Sequence, residues 1–157
     1  MALQAYDFSA LSTDLQDWMA RRFLEPIVNI EGGWEYWVQI DFPAWLDVNN
    51  ATQYDFRREV TGVIQNARLD WLVNSQVPGG HVTAVEIKAQ THKYVNSRFL
   101  ADVLSDVQKL SGLGRNYNKL MLAAVIDPAV EETLTGQHGF VPVAQYGGTV
   151  RFLALTV

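Results

Sequence analysis

The sequence predicts a single α/β domain over residues 1–157, in which helices flank a mixed central β-sheet. Two amphipathic helical patterns, at residues 11–23 and 97–110, alternate along the chain with short runs rich in β-branched residues, as in mixed α/β folds. The run Leu120–Ile126 is apolar throughout, as expected of a strand covered on both faces. No repeat or Pro/Gly-rich linker divides the chain, and 157 residues is an ordinary length for one domain.

The N-terminal part of the chain is predicted to form two helices. The first opens at Ser12–Gln16 and ends before Pro26, and its apolar residues follow helical spacing: Leu11, Leu15, Trp18, Met19 and Phe23. Gly33–Val48 fits two patterns, because its apolar residues alternate as in a strand and also form a helical stripe. We favour a helix there, although Pro43 lies inside it.

Three strands are expected next. Phe56–Val60 and Val63–Ile64 are predicted as a short strand and a turn. Arg68–Val73 and Val82–Lys88 are predicted strands because β-branched and aromatic residues are frequent in them. Pro78–Gly80 lies between these two strands and indicates a hairpin or a tight meander.

The remaining chain is predicted as a helix, a strand, a short helix and a closing hairpin. Asn96 and Ser97 are expected to cap the helix, which ends at Gly112. Its buried stripe is predicted to hold Phe99, Leu100, Val103, Leu104, Val107 and Leu110. Four charged residues fall outside this stripe: Arg98, Asp102, Asp106 and Lys109. The later elements are a strand at 119–126, a helix at 128–134, and paired strands at 141–146 and 149–157.

The composition excludes several classes of protein. Hydrophobic residues make up 48% of the chain and charged residues 18%, which excludes a disordered chain. Cysteine is absent, so disulfides, thiol nucleophiles and thiolate metal sites are excluded. The longest apolar run has seven residues, whereas a membrane span needs about 20. The first residues lack the pattern of a signal peptide, and we therefore expect a cytoplasmic protein that does not enter a membrane.

The charges are distributed unevenly along the chain. The net charge is −5, but residues 57–119 carry nine basic and five acidic side chains, whereas residues 1–55 carry two basic and nine acidic ones. The basic middle of the chain can face phosphate groups. Alternatively, these charged side chains simply face solvent on different faces of the fold.

Asp70, Glu86 and Lys88 are the strongest candidates for a chemical function. Residues two apart on a strand point to the same face, so Glu86 and Lys88 emerge side by side. If the two strands pair, Asp70 lies opposite Glu86, and two carboxylates and an ammonium group converge. Carboxylate oxygens suit Mg²⁺ or Mn²⁺, and a lysine beside such an ion can orient or deprotonate a water molecule. The alternative is that these polar residues simply face solvent.

The runs at 68–73 and 85–89 together resemble the core motif of the PD-(D/E)XK nucleases, the restriction-endonuclease-like superfamily, and particularly its small resolvase-like and bacterial members. Asp70 matches the first acid of that motif, Glu86 the second acid and Lys88 the lysine; Leu69 stands where the family has proline. The resemblance extends over about residues 33–126. It implies a restriction-endonuclease-like core, a Mg²⁺ or Mn²⁺ cofactor held by Asp70 and Glu86, and a bacterial or phage source.

The resemblance implies roles for further residues. Several family members place a glutamate on the leading helix near the metal, and Glu35 matches it as a third metal ligand, which is why we favour a helix at 33–48; Glu59 is the competing carboxylate. Gln90, two residues beyond the lysine, is expected to assist at the site. Contacts to the phosphates of nucleic acid are expected from His92, Lys93 and Arg98.

The resulting expectation is a metal-dependent nuclease that hydrolyses phosphodiester bonds of nucleic acid, with DNA as the first choice. The alternative is a catalytically inactive nuclease-like fold that serves as a binding, immunity or assembly protein. The net acidity favours this alternative, and the intact Asp70, Glu86 and Lys88 favour the enzyme. Either a homodimer or a complex with another protein is compatible with the sequence.

Overall fold

The computed structural model describes residues 6–22, 29, 33–49, 54–76, 81–146 and 149–157. These residues form a mixed α/β fold, which confirms the predicted fold class at this level. In chain order the elements are α1 (Phe8–Met19), α2 (Gly33–Asn49), β1 (Phe56–Ile64), β2 (Ala67–Val73), β3 (Val82–Ala89), α3 (Asn96–Ser111), β4 (Tyr117–Val125), α4 (Pro128–His138), β5 (Val141–Tyr146) and β6 (Val150–Thr156).

The six strands form one sheet in the order β1-β2-β3-β4-β6-β5. β3 and β4 run parallel, and every other neighbouring pair is antiparallel. Parallel neighbours need a crossover connection, and α3 provides it between β3 and β4. No helix among the described residues is long and apolar enough to cross a membrane.

Helices cover both faces of the sheet, so that the molecule has three layers. Alternate residues of β4 show this arrangement, because Leu122 belongs to the apolar cluster formed with α1 and α2, whereas Met121 and Ala123 belong to the cluster formed with α3 and α4. In β3, Val85 and Ile87 point toward the α1 and α2 side. Residues between them therefore point toward α3.

Helix α1 begins four residues before the predicted start at Ser12. The Asp7 carboxylate accepts a hydrogen bond from the backbone N–H of Ala10 at 2.9 Å and caps the helix at Phe8. The prediction was wrong here because the capping aspartate precedes the apolar stripe by a full turn. Pro26 and Phe23 lie outside the described residues.

Gly33–Asn49 is a helix, as the sequence analysis favoured. Burial follows helical spacing, since Trp34, Val38 and Phe42 are buried. Pro43 has no N–H to donate to the carbonyl of Gln39 one turn earlier. The indole N–H of Trp71 donates to that carbonyl instead, at 3.0 Å, so the proline leaves no unsatisfied acceptor at this point.

Two details of the strands differ from the predictions. β1 is one strand of nine residues and contains a bulge between Thr61 and Ile64, where a separate strand and turn were expected. The bulge accommodates Gly62, whose φ of 83° suits a residue without a side chain. The predicted turn at Pro78–Gly80 lies outside the described residues, but β2 and β3 do pair antiparallel, with Trp71 opposite Val85.

Two predictions for α3 are wrong. Asn96 is the first residue of the helix and not its cap, and the N-cap position is Val95; the Asn96 amide instead donates to the Asp127 carboxylate at 2.8 Å. Leu100, Leu104 and Val107 were expected in the buried stripe, but they are only half-buried, although Leu100 and Val107 still pack against the buried cluster. The helix buries a narrower stripe of Phe99, Val103 and Leu110.

Candidate active site

A cavity of about 280 Å³ opens where α2, β1, β2, β3 and α3 meet. Three of the residues that line it are the ones that the strand pattern predicted to converge: Asp70 from β2 and Glu86 and Lys88 from β3. The other lining residues are Glu35, Tyr36, Gln39, Glu59, Arg68, Asp106 and Lys109. The cavity therefore joins the two strands of the motif to both layers of helices.

The Asp70 side chain is held by two hydrogen bonds. The register that pairs Trp71 with Val85 places Asp70 beside Glu86 at the end of the ladder. One Asp70 oxygen accepts the backbone N–H of Ile87 at 2.8 Å, and the other accepts the amide of Gln39 at 3.0 Å. Burial raises the pKa of Asp70, although the bond from Ile87 opposes this rise.

Glu86 is the most buried charged residue of the cavity, with 2% of its surface exposed. Its Oε1 lies 2.7 Å from the Lys109 Nζ. Burial and the neighbouring charge of Asp70 raise the pKa of Glu86 to about 8, although Lys109 opposes this rise. The negative form of Glu86 is therefore costly in the folded protein and depends on a nearby cation.

The Lys88 ammonium lies between two carboxylates. Its Nζ is 3.1 Å from Asp106 Oδ2 and 4.0 Å from Glu35 Oε1. Burial lowers the pKa of Lys88, but Glu35 and Asp106 together outweigh burial and raise it above its usual value. An ammonium held protonated in this way can orient a water molecule or face an anion, but it is a poor proton acceptor.

Glu35 and Glu59 both line the cavity, but they differ in their partners. Glu35 Oε2 accepts the backbone N–H of Ala89 at 3.1 Å, and burial raises the Glu35 pKa. Glu59 pairs with two arginines, Arg58 at 3.3 Å and Arg68 at 3.7 Å. Glu35 therefore faces the motif lysine, whereas Glu59 belongs to a cluster of charges on β1 and β2.

Gln90 does not line this cavity. Its Oε1 accepts the backbone N–H groups of Ile126 and Asp127, each at 3.1 Å, and its Nε2 donates to Asn96 at 2.8 Å. Only 1% of Gln90 is exposed. This amide thus holds the end of β4 and the start of α3 together. The resemblance implied that Gln90 assists at the site, but its side chain lies outside the cavity.

The residues expected to contact phosphates lie beside the cavity. Lys93 and Arg98 line a second cavity of about 400 Å³, which shares Glu35, Tyr36 and Lys88 with the first. The Arg98 side chain is 81% exposed and lies 3.9 Å from Asp102. His92 is exposed but is not a lining residue of either cavity.

Asp106 and Lys109 are site residues that the sequence analysis missed. Both were placed outside the apolar stripe of α3 and thus toward solvent, but their side chains are only 16% and 22% exposed. The signal in the sequence is their order. In both elements the acid precedes the base: Asp106 comes three residues before Lys109 on α3, and Glu86 comes two residues before Lys88 on β3. When the helix runs back along the strand, the acid of each element lies opposite the base of the other, so that opposite charges pair.

The donor set fits a divalent cation. Five carboxyl groups and three basic side chains line the cavity, which leaves an excess of two negative charges when all of them are ionised. Among the described residues, no three Asp, Glu, His or Cys side chains form a ready-made group for a metal ion. Mg²⁺ commonly uses only one or two carboxylates and keeps several waters, so two carboxylates such as Asp70 and Glu86 would be enough to hold one. Glu35, which was expected as a third ligand, contacts Lys88 and the backbone of Ala89.

Comparisons of the chain with protein-family models, with curated proteins and with solved structures gave no match.

Proposed function

We propose that this protein is a nuclease of the PD-(D/E)XK type that uses Mg²⁺ or Mn²⁺ to hydrolyse phosphodiester bonds of nucleic acid, DNA in the first place. The observation that carries the proposal is the meeting of Asp70, Glu86 and Lys88 in one cavity with an excess of carboxylates. Hard divalent cations prefer such oxygen ligands, and phosphoryl transfer needs positive charge beside the reacting phosphate.

The topology supports the proposal. The resemblance implies a leading helix, a three-stranded meander that carries the acid and the E-x-K, a helix, and a further strand. α2, the antiparallel meander β1–β2–β3, the crossover helix α3 and the parallel strand β4 follow in that order. A restriction-endonuclease-like core is the interpretation of this order that we propose.

Each residue of the site has a role in the proposed reaction. Asp70 and Glu86 would hold the divalent ion, which when bound lowers the pKa of a coordinated water and neutralises charge at the phosphate. Lys88, kept protonated by Glu35 and Asp106, would orient the attacking water and face the phosphate. Lys93 and Arg98, in the adjoining cavity, would bind neighbouring phosphates.

The second candidate is a binding, immunity or assembly protein that keeps this fold without catalysis. It is favoured by the two ion pairs that neutralise the motif residues internally, Lys109 with Glu86 and Asp106 with Lys88. Ion-pair networks of this kind can also be purely structural. The net charge of −5 also makes a broad polyanion-binding surface less favourable.

A cleavage assay separates the two candidates. Wild type should cut at least one of plasmid, linear duplex, branched DNA or RNA in Mg²⁺ or Mn²⁺, and Asp70→Asn and Lys88→Met should each lower the rate by at least about 10²-fold. The matched controls are Asp47→Asn and Arg115→Gln, which change exposed residues outside the cavity and should keep wild-type activity. Folded wild-type protein that neither binds Mn²⁺ nor cuts any substrate would support the inactive fold.

A further inference from the structure

Helix α3 and strand β3 are joined at the cavity by two crossed ion pairs. The strand offers Glu86 followed by Lys88, and the helix offers Asp106 followed by Lys109. Lys109 Nζ lies 2.7 Å from Glu86, and Lys88 Nζ lies 3.1 Å from Asp106. Each motif residue on the strand thus has a counter-charge from the helix.

The first of these pairs involves the carboxylate that the proposed function assigns to the metal. At 2.7 Å from Glu86 Oε1, the Lys109 ammonium forms a charge-assisted contact with the carboxylate. A divalent ion coordinated to the same oxygen would lie within about 2.1 Å of it. An ammonium group and a divalent ion at one buried carboxylate repel each other at this short range, so the two cations compete for Glu86.

Lys109 is able to leave without a change in the fold. It lies in the last turn of α3, and its side chain is 22% exposed, so part of it already reaches solvent. A lysine has a flexible four-carbon stem and a strongly hydrated ammonium. Rotation of that stem toward water would expose both Glu86 oxygens and leave the helix in place.

We propose that Lys109 is a built-in competitor for the divalent cation: its ammonium occupies Glu86 in the metal-free protein, and a metal ion binds only when Lys109 moves away. This inference rests on the proposed function. Lys109 thereby offsets the negative charge of Glu86 whenever that side chain is ionised without a metal, and it weakens metal affinity. The site then binds metal only when the ion is abundant, and the metal-free protein keeps its packing.

Calorimetry with MnCl₂ tests this inference directly. Lys109→Gln removes the competing charge and should bind Mn²⁺ about tenfold more tightly or better, the ratio expected when a charged hydrogen bond no longer has to be broken. Lys109→Arg keeps a cation at this position, so its affinity should be equal to or lower than that of wild type. The control Arg115→Gln removes a positive charge from an exposed loop residue and should bind Mn²⁺ as wild type does.

A labelling experiment on the wild-type protein is independent of how the variants fold. Acetic anhydride acetylates free lysine amines, and mass spectrometry measures the rate at Lys109 with and without Mg²⁺. Release of Lys109 should raise its rate several-fold in Mg²⁺, while Lys119, which lines neither cavity, serves as the internal reference. An unchanged rate at Lys109 would overturn the inference.

The outcomes separate the two levels of the argument. If Lys109→Gln and wild type bind Mn²⁺ with the same affinity, Lys109 is not a competitor, but the proposed metal site stands. If neither protein binds Mn²⁺, both the competitor and the metal-dependent function are wrong. If only Lys109→Gln binds measurably, the competitor is confirmed in its strongest form.

Discussion

At the scale of single residues, the charge state of Glu86 decides what the cavity can do. Few carboxylates in folded proteins are as buried as this one, at 2% exposure, and the pKa of about 8 follows from that burial and from Asp70. A lysine, a proton or a divalent cation can each relieve the buried negative charge. These three therefore compete for one carboxylate.

The stability of the metal-free protein should therefore depend on pH through Glu86. Its pKa is raised from 4.5 to about 8 in the folded state, so between these values the folded protein holds a proton that the unfolded chain has lost. The free energy of unfolding should fall as pH rises through this window. Lys88 adds no slope there, since its raised pKa lies above the window.

Urea unfolding in a chelator, at several pH values across the window, measures this effect. The Glu86→Gln side chain cannot ionise, so the free energy of unfolding of this variant should fall less steeply as pH rises. The variant should therefore gain stability relative to wild type toward the upper end of the window. Asp14, whose pKa is raised to about 6 chiefly by burial, contributes to both proteins equally and cancels in the comparison. A difference that does not change with pH would contradict the assignment.

At the scale of elements, α3 performs two tasks with adjacent stripes. One stripe packs Phe99, Val103 and Leu110 on the sheet, and the neighbouring one carries Asp106 and Lys109 to the cavity. The stripe predicted from the sequence was wider, and it included Leu104 because every apolar residue within helical spacing was assigned to the core. A helix that also lines a polar cavity buries fewer of its apolar residues.

Leu110 and Leu104 of α3 make a matched pair for testing which face of the helix is buried. Leu110→Ala should lower the free energy of unfolding by about 2–5 kcal/mol, because Leu110 is fully buried. Leu104→Ala should cost only about 1 kcal/mol, because Leu104 is half-buried. Chemical denaturation measures both changes, and equal losses would show that the buried face of α3 is misassigned.

The sequence predicted the site residues on strands better than those on helices. Strand alternation has only two faces, so Glu86 and Lys88 had to emerge together, and pairing of β2 with β3 brought Asp70 to them. On α3 the spacing defined a polar side, but it did not show that β3 lies opposite Asp106 and Lys109. That contact depends on how the crossover helix is tilted over the sheet, which no local pattern contains.

Gln90 shows a second limit. Its position two residues beyond the motif lysine suggested a role at the site, but its amide bonds to the backbone of residues 126 and 127. A buried loop amide of this kind satisfies N–H groups that would otherwise lack partners. Sequence spacing places Gln90 near the lysine along the chain, but the end of β4, which comes from much later in the sequence, determines which way it faces.

At the scale of the whole molecule, the sheet gathers charges that are far apart in the chain. Glu35 comes from the acidic N-terminal third, and Asp70, Lys88 and Lys109 come from the basic middle, yet all of them line one cavity. The mixed topology is responsible, because the meander places β2 beside β3 and the crossover returns α3 over β3. The acidic excess that results is local, and the cations of the second cavity lie at its border.

The central claim is that Asp70 and Glu86 bind one divalent cation. Crystals of the protein grown in MnCl₂, with diffraction data collected at the manganese absorption edge, test it most directly. The account predicts one anomalous peak roughly 2.1 Å from a carboxylate oxygen of Asp70 and of Glu86, with the Lys109 ammonium moved away from Glu86. Crystals that show no peak at these two carboxylates, with Lys109 still paired to Glu86, would contradict it.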